Sequence, residues 1–435
     1  MNKSKVLVFV YFFFYFMINS MNDNKNLMNN NKLIDFKNNK ALIVSTLNKN
    51  TLQNIILKSV NDVLEKHNIN IEFIVVNKND SKNQIEKDNY IYFSDFYSEK
   101  DIVINKLKKF NNFDFTVQTD EEAVDILGTI NTELNLKGIK IEDSRRFRDK
   151  TIMKKLLSNN IKKPNVYDFE NINSINNFPV VLKPIDSAGS SGVKILRSID
   201  ELNSEIKILK NINSLLNYEI EEFISAPIYH IDGFVFNKNI IFCSASEYIG
   251  DCYRYLLGDP LGSVRCTEEL QLKALSFTQN IHKCLHFPDG VFHIEAFFKD
   301  NDFIFLEVGI RPGGAEVIPA IEEVTGINLS VEHVLLQLGL KNRHILNKYK
   351  YYGWLNFPSV HLTKNKLKIK CIKYPDESKL KSLKRNYCHN INEEIDRTRV
   401  VYAQKLGAFV FASNSRDDIL NDINLIKKEF KVEFY

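Results

Sequence analysis

The segment Val291-Phe-His-Ile-Glu-Ala-Phe-Phe298, Lys299-Asp-Asn-Asp302, Phe303-Ile-Phe-Leu-Glu-Val308 restricts the fold more than any other stretch of the chain. Two apolar runs with period-two alternation flank a four-residue polar turn, which specifies an antiparallel hairpin. With Asn301 as the apex, Glu295 stands directly opposite Glu307, and His293 lies on the same face opposite Gly309. Like charges facing each other across strands repel unless something positive lies between them. Two carboxylates in an otherwise apolar hairpin therefore suit a divalent, oxygen-liganded ion such as Mg²⁺. The competing reading, two solvated acids on an exposed sheet face, requires no ion.

Elsewhere the pattern is that of an α/β protein. Ala41-Leu-Ile-Val-Ser45 and Ile71-Glu-Phe-Ile-Val-Val76 enclose a segment, Thr51 to His67, with helical apolar spacing, which makes a βαβ unit and hence a parallel sheet. Short units are expected to follow at Ile91-Tyr-Phe93, around Glu121 to Leu127, and at Ile139-Lys-Ile141. No Gly-x-Gly-x-x-Gly follows the first strand and no Gly-x4-Gly-Lys-Ser/Thr occurs, so neither a dinucleotide fingerprint nor a P-loop is present. A helix from Ser144 through Leu157 is expected next. The last quarter, Tyr351 to Tyr435, mixes strand-like runs (Val400-Val-Tyr402, Ala408 to Ala412) with a closing helix from Arg416 to Phe430. No internal repeat is found.

Composition excludes several classes. A chain of 435 residues that is 44% apolar and 26% charged is neither disordered nor fibrous. Fifty-eight Lys+Arg against fifty-four Asp+Glu leave only +4, too little for a sequence-independent grip on nucleic acid. The six cysteines form no Cys-x-x-Cys pair and read as reduced thiols, which favours the cytoplasm. Lys3 and Lys5 ahead of the uncharged run Val6 to Ile18 have the layout of a signal peptide, although the run is short for a membrane span. An exported protein, a membrane anchor and a start at Met21 or Met28 all stay open. Residues 22 to 40 are polar, Asn-rich and linker-like.

A second chemical constellation is Val181-Leu-Lys-Pro-Ile-Asp-Ser-Ala-Gly-Ser-Ser-Gly-Val193, where Lys183 ends a strand and a Ser/Gly loop follows at once. Glycines let backbone N–H groups approach an anion, and hydroxyls add donors. The bland alternative is a flexible hairpin with a surface lysine. A third is Arg311-Pro-Gly-Gly314, a permanently charged fork at the end of the second hairpin strand. No Ser/His/Asp or Cys/His arrangement at recognisable spacing points to covalent catalysis by a side chain.

In this order, Arg148-Asp-Lys150, Leu182-Lys183-Pro184 with its loop, Glu221-Glu222-Phe223-Ile224, His293-Ile-Glu295 and Glu307-Val-Gly-Ile-Arg311-Pro-Gly-Gly314 resemble the ATP-grasp superfamily of carboxylate–amine ligases, over about Leu42 to Leu340. The resemblance implies a leader and linker (1–37), a Rossmann-like pre-grasp domain (38–143), an ATP-grasp fold of two α+β lobes (144–345) and a small C-terminal α+β segment (346–435). It implies that Lys150 and Lys183 neutralise ATP phosphates, and that the loop Ser187, Gly189, Ser190, Ser191, Gly192 covers them. Glu221, Glu222 and Ile224 would hold adenine, with Phe223 in the core. Glu295 and Glu307 would ligate Mg²⁺, or Mn²⁺ in its place, and Arg311 would steady the acyl phosphate and the tetrahedral adduct. Two departures stand out: Gly309 replaces the Asn expected two residues after the second metal-ligating Glu, and Ile228 replaces an acid expected at the ribose, for which His230 or Asp232 could substitute.

The reaction so implied joins a carboxylate to an amine on small molecules, with the γ-phosphoryl group of ATP activating the carboxylate. The motif set is most similar to the amino-acid ligase branch. A single grasp unit excludes a carbamoyl-phosphate synthase, and the loop is shorter than in biotin carboxylases. A purine-pathway ligase and a non-catalytic ATP-binding module are the alternatives, and a homodimer is left open.

Overall fold

The computed structural model describes residues 39–78, 89–110, 112–341, 348–359, 362, 366–396 and 405–435. The apolar run Val6 to Ile18 and the strand-like run Val400 to Tyr402 lie outside the described residues. Among the described residues no helix is long and apolar enough to cross a membrane.

Strands β1 (Asn39–Ser45), β2 (Ile71–Lys78), β3 (Tyr90–Phe93) and β4 (Phe115–Gln118) form a parallel sheet in the order β3-β2-β1-β4. Its helices are α1 (Lys58–Lys66), entered through a π-helical stretch at Asn50–Leu57, α2 (Phe96–Leu107) and α3 (Glu121–Glu133). Alternation assigns Leu42 and Val44 to one face and Ala41 and Ile43 to the other, and both faces are covered. The strand expected at Ile139 to Ile141 is absent. The Ile139 carbonyl is taken by the Asn131 side chain (2.9 Å), so it has no place in a ladder, and the fourth strand is β4 instead.

The helix expected over Ser144 to Leu157 is broken. A short helix ends at Ser144, and α4 starts afresh as Lys150–Leu156. The Asp149 carboxylate accepts from the amides of Thr151 (2.9 Å) and Ile152 (3.2 Å), an N-cap that competes with a continuous helix. A small antiparallel sheet follows, β5 (Val166–Tyr167), β6 (Val180–Pro184), β7 (Lys194–Leu196) and β8 (Tyr218–Glu222), ordered β5-β8-β6-β7. Its apolar face, Val180, Leu182 and Ile220, packs on α5 (Ile199–Asn211).

The largest sheet has eight strands in the order β13-β12-β9-β10-β11-β14-β18-β16. They are β9 (Ile228–Phe236), β10 (Asn239–Ile249), β11 (Leu261–Arg265), β12 (Gly290–Lys299), β13 (Asp302–Gly309), β14 (Tyr351–Pro358), β16 (Leu383–Cys388) and β18 (Lys405–Ser413). A third small sheet pairs β15 (Lys366–Lys373) with β17 (Glu394–Asp396) and β19 (Lys431–Phe434). Helix α6 (Glu268–Leu285) covers one face of the large sheet, burying Ile231, Phe292, Ile294 and Phe305. Helix α7 (Val317–Thr325) covers part of the other with Phe234 and Val291. Helix α8 (Leu329–Gln337) sends Val331, Val334 and Leu335 into the core of the first sheet, and α9 (Arg416–Glu429) packs on β14 and β18. The last quarter therefore both extends the central sheet, through β14, β16 and β18, and adds the small β17-β15-β19 sheet.

The β12–β13 hairpin turns at Asp300-Asn301, whose φ values of 52° and 64° are those of a two-residue primed turn. From that turn the register pairs Ala296 with Phe305. A bulge on β13 then adds one residue, and Glu295 meets Glu307 as expected, although the turn is the pair Asp300-Asn301 and not the single apex Asn301 from which that pairing was read.

Close packing behind the hairpin gives a first prediction. A Cβ on Gly233 would lie 2.2 Å from the Phe242 carbonyl oxygen and 2.4 Å from Phe292 Cζ, whereas one on Gly314 meets nothing within 4 Å. Gly233→Ala should cost about 1–3 kcal/mol or more by overpacking, and Gly314→Ala should stay within about 0.5 kcal/mol. Urea denaturation of the two variants checks this, and equal midpoints would contradict it.

Candidate functional site

The site forms where three pieces of chain meet: the charged face of the small sheet, the N-terminus of α4, and the open end of the β12–β13 hairpin. Strand β8 alternates Glu219 and Glu221 toward the cleft with Ile220 toward the lobe core. Lys183 of β6 pairs with Glu219 across the ladder. Its ammonium lies 2.5 Å from Glu221 and 3.6 Å from Glu219. Lys154, one turn beyond Lys150 on α4, bonds Glu219 at 2.5 Å and Glu221 at 2.6 Å. All four groups are buried, so two cations and two anions cancel in the low-dielectric interior. Burial alone would lower the Lys183 pKa, but the facing carboxylates of Glu221 and Glu219 raise it above the ordinary lysine value. Lys154 and Glu219 were not anticipated from the sequence. Their signal was available in the i, i+4 spacing of Lys150 and Lys154 and the alternation of Glu219 and Glu221.

Lys150 is buried at the first turn of α4. Its amide donates to the Ile185 carbonyl (2.9 Å) and its ammonium to the Ser187 carbonyl, which ties the base of the Ser/Gly loop to the helix. The loop, half-buried at Ser187, Gly189 and Ser190 and exposed at Ser191 and Gly192, joins β6 to β7. Gly189, Ser190 and Gly192 have φ of 63°, 57° and 73°, a left-handed course that two of the three residues follow freely as glycine. Ser187 and Ser191 are linked across the loop by a hydroxyl-to-carbonyl bond of 3.0 Å. At the end of β8, Glu222 accepts from the Asn165 amide and side chain, and beyond the strand Phe223 and Ile224 are half-buried. Phe223 is not a core residue as expected, because β8 ends at Glu222 and alternation ceases to govern it.

The hairpin's polar row runs in register across four strands: Glu307, Glu295, His230 and Ser246 in one row, and Gly309, His293, Asp232 and Ser244 in the next. Exposure decreases along the first row, with the side chains of Glu307 at 25%, Glu295 at 18% and His230 at 0%. Glu307 meets Lys150 at 3.1 Å. Glu295 accepts from the Tyr248 hydroxyl at 2.8 Å and lies 3.7 Å from His293 Nε2. The expectation that these carboxylates repel until a metal arrives is corrected here: protein cations already stand beside both. Although burial pushes the Glu295 carboxyl up, His293 and Tyr248 bring it below its ordinary value.

Behind Glu295, Asp232 bonds His230 Nδ1 at 2.5 Å and His293 Nδ1 at 2.8 Å, and His230 Nε2 meets the Ser263 hydroxyl at 2.8 Å. Burial opposes charge on Asp232, yet the two imidazoles hold its carboxyl well below the usual range. Burial likewise disfavours charge on His293, but Asp232 raises it to about 9. His230, Asp232 and His293 could hold a metal by their spacing, but each ring faces the same carboxylate, and Asp232 and His230 are fully buried. For that reason neither can stand in for a ribose-binding acid as expected.

Arg311 follows β13. It donates from Nε to Glu121 of α3, a residue from the first sheet's domain that sequence reading placed only in a helix, and from Nη1 to the Pro312 carbonyl (2.8 Å). Arg148 grips the other Glu121 oxygen at 2.8 Å. Burial pushes the Glu121 carboxyl up, and the two guanidiniums bring it down to about 2. Glu295 and Glu307 fit a hard divalent ion: they are oxygen donors, directly paired across strands, and face the cleft.

No family model matches the chain. A formate-dependent phosphoribosylglycinamide formyltransferase of Prochlorococcus marinus (strain MIT 9312) is 25% identical over 301 residues, covering 65% of this chain and 74% of the relative. The crystal structure of an L-amino acid ligase from Bacillus licheniformis superimposes with a TM-score of 0.66 at 18% identity, over 92% of this chain and all of that one. The biotin carboxylase domain of Hydrogenobacter thermophilus 2-oxoglutarate carboxylase, crystallised with MgADP and bicarbonate, gives 0.63 at 12% identity over 90% of each chain. The α/β architecture is the one these two solved structures share. The chain has the fold of the ATP-grasp ligases and is a remote relative of the formyltransferase.

Two predictions follow from the charges. Lys183→Ala should weaken ATP binding about 10- to 1000-fold, since a charge-assisted bond lost from a buried site costs roughly 1.5–3 kcal/mol or more. It should also lower the melting temperature, because Lys154 alone would face two buried carboxylates; calorimetry at a temperature where the variant is folded separates the effects, and unchanged affinity would refute the role. Glu307→Gln leaves the buried Lys150 ammonium without its carboxylate, so the ligand-free protein should lose stability rather than gain it, as a melting curve without Mg²⁺ will show. A raised melting temperature would mean that repulsion from Glu295 outweighs the ion pair.

Proposed function

We propose that the chain is an ATP-dependent carbon–nitrogen ligase that joins the carboxylate of one small molecule to the amine of another, with amino acids or related metabolites as the substrate class. The observation that carries this is the convergence, within one cleft, of a carboxylate pair, two phosphate-competent lysines and an arginine. Phosphoryl transfer asks a protein chiefly for positioning and neutralisation of charge, and these residues supply both.

In this reading Lys183 and Lys150 bind the ATP phosphates, and the 187–192 loop closes over them with backbone and hydroxyl donors. Glu221 and the backbone near Glu222 and Ile224 hold adenine; a carboxylate can accept about four hydrogen bonds, so Glu221 can keep its lysines while doing so. Glu295 and Glu307 hold Mg²⁺, which when bound neutralises charge on the phosphoryl group being transferred. The substrate carboxylate attacks the γ-phosphorus and ADP departs, leaving an acyl phosphate. The amine then attacks the acyl carbon, the oxyanion that develops lies against Arg311, and the amide forms as phosphate leaves and takes up the proton given up by the amine nitrogen. Tyr248 orients Glu295 by its hydrogen bond, and His293 by its charge 3.7 Å away.

A second reading, a purine-pathway ligase, is supported by the formyltransferase relative, whose name describes transfer from formate to a glycinamide. The first sheet would then have to accommodate a ribosyl phosphate. A panel of amino acids, offered singly and in pairs with Mg·ATP, distinguishes the readings. ADP and phosphate release with a peptide product by mass spectrometry is the expected result; release only with formate and a glycinamide ribotide would favour the second. Tight nucleotide binding without release under either would make the chain a binding module.

A further inference from the structure

We propose that Glu121 is a positioning residue for Arg311, supplied by the first sheet's domain, and that its carboxylate occupies the space a side chain at position 309 would need. The proposal rests on the ligase reading only in taking Arg311 as the group that meets the reacting centre.

The space comes first. A Cβ built on Gly309 lies 3.0 Å from Glu121 Oε2, 3.3 Å from Arg311 Cγ and 3.6 Å from Arg311 Nε. An asparagine there cannot extend toward the cleft without displacing the carboxylate, so the glycine at 309 and the glutamate at 121 are two halves of one arrangement. Bonding comes second. Glu121 Oε2 accepts from Arg311 Nε, and Oε1 accepts from Arg148 Nη1 at 2.8 Å, while Arg148 Nη2 donates to the Asp186 carbonyl (2.6 Å) at the root of the Ser/Gly loop. One carboxylate thus fixes the arginine at the strand end and, through Arg148, the base of the loop that would cover the triphosphate. With Nε and Nη1 of Arg311 engaged, no hydrogen bond from Nη2 is found among the described residues, so that nitrogen is the donor left for an incoming anion.

Glu121 is itself held rigidly. It opens α3, whose cap Asp120 accepts from the Thr46 amide (2.8 Å), the Thr46 hydroxyl (2.6 Å) and the Ala123 amide (3.2 Å). Thr46 directly follows β1 and Asp120 closely follows β4, the adjacent strands between which the order of the parallel sheet reverses. At such a switch point the chain leaves the two strands in opposite directions and opens a crevice at their carboxyl ends. Gln118, at the end of β4, donates to the Ile310 carbonyl, so both sides of the Glu121–Arg311 contact are braced. Two guanidiniums on one carboxylate leave it poorly suited to a metal ion or to a substrate ammonium, since either would add a third positive charge to an already neutralised group.

The test compares full-length wild type with Glu121→Gln, Glu121→Ala, Gly309→Asn and Glu121→Ala/Gly309→Asn. Gly309→Asn alone should melt lower than wild type, and removing the Glu121 side chain should relieve that loss, giving a coupling in the double-mutant cycle. Additive effects would overturn the shared-space claim. Mg·ADP affinity by calorimetry should remain within about 2-fold of wild type in Glu121→Gln, whereas kcat on the substrate pair found by the panel should fall about 10- to 100-fold with KM little changed, as when the partner that orients a functional group is removed. A large loss of Mg·ADP affinity would make Glu121 part of the metal or nucleotide site, and a raised KM for the amine with kcat intact would make it a substrate contact; either overturns the proposal. Should the panel yield no turnover with wild type, the ligase reading fails, while the melting and calorimetric results still decide where Glu121 acts.

Discussion

Charge cancellation within the cleft is the constraint on which the remainder depends. A site built for a polyphosphate and a divalent ion needs cations and carboxylates in close quarters, and burying either sign alone is costly. The structure solves this by pairing: Lys183 and Lys154 with Glu219 and Glu221, Lys150 with Glu307, His293 with Asp232, and Arg311 and Arg148 with Glu121. Each pair draws its two members from different elements, so the ion pairs also hold the small sheet, α4, the hairpin and the first domain in their mutual positions. A nucleotide and its metal would then enter by exchanging partners within a set whose charges balance once Glu295, beside His293, is counted with them.

The large sheet provides the second ingredient, a graded environment. Because β9, β10, β12 and β13 are in register, one face carries a polar row from half-exposed Glu307 to fully buried His230 and the serines beyond. The buried end, in which Asp232 joins two imidazoles, fixes the ring of His293 and so the environment of Glu295. The opposite face of the same strands is apolar and lies on α6. A site on such a platform inherits the rigidity of the core, while the Ser/Gly loop after β6 is partly exposed and belongs to none of the core clusters.

The pattern of correct and incorrect sequence expectations follows from the range of the forces involved. Period-two alternation acts locally, which is why Glu295 and Glu307 could be placed opposite each other, although the pairing reaches that register only by a bulge that no periodicity announces. Glycine and serine spacing after Lys183 likewise located the loop. The broken helix at Asp149 was misread because apolar spacing continues through it, while a single capping carboxylate decides against continuity. Phe223 was misassigned because alternation was extended past the strand that sustains it.

By itself the sequence determined the α/β class, the parallel first sheet, the hairpin with its two carboxylates, and the lysines and arginine of the cleft, all of them consequences of periodicity, turn chemistry and short motifs. Tertiary structure alone decided which charges meet. Glu121 and Arg311 are 190 positions apart, and Lys154 lies 65 and 67 positions from its two partners. The lack of a side chain at Gly309, which in sequence is only a missing ligand, becomes in three dimensions the room filled by a carboxylate from another domain. Electrostatic pairing of buried groups depends on distance in space and on exclusion of water, and neither is written in the order of residues along a chain.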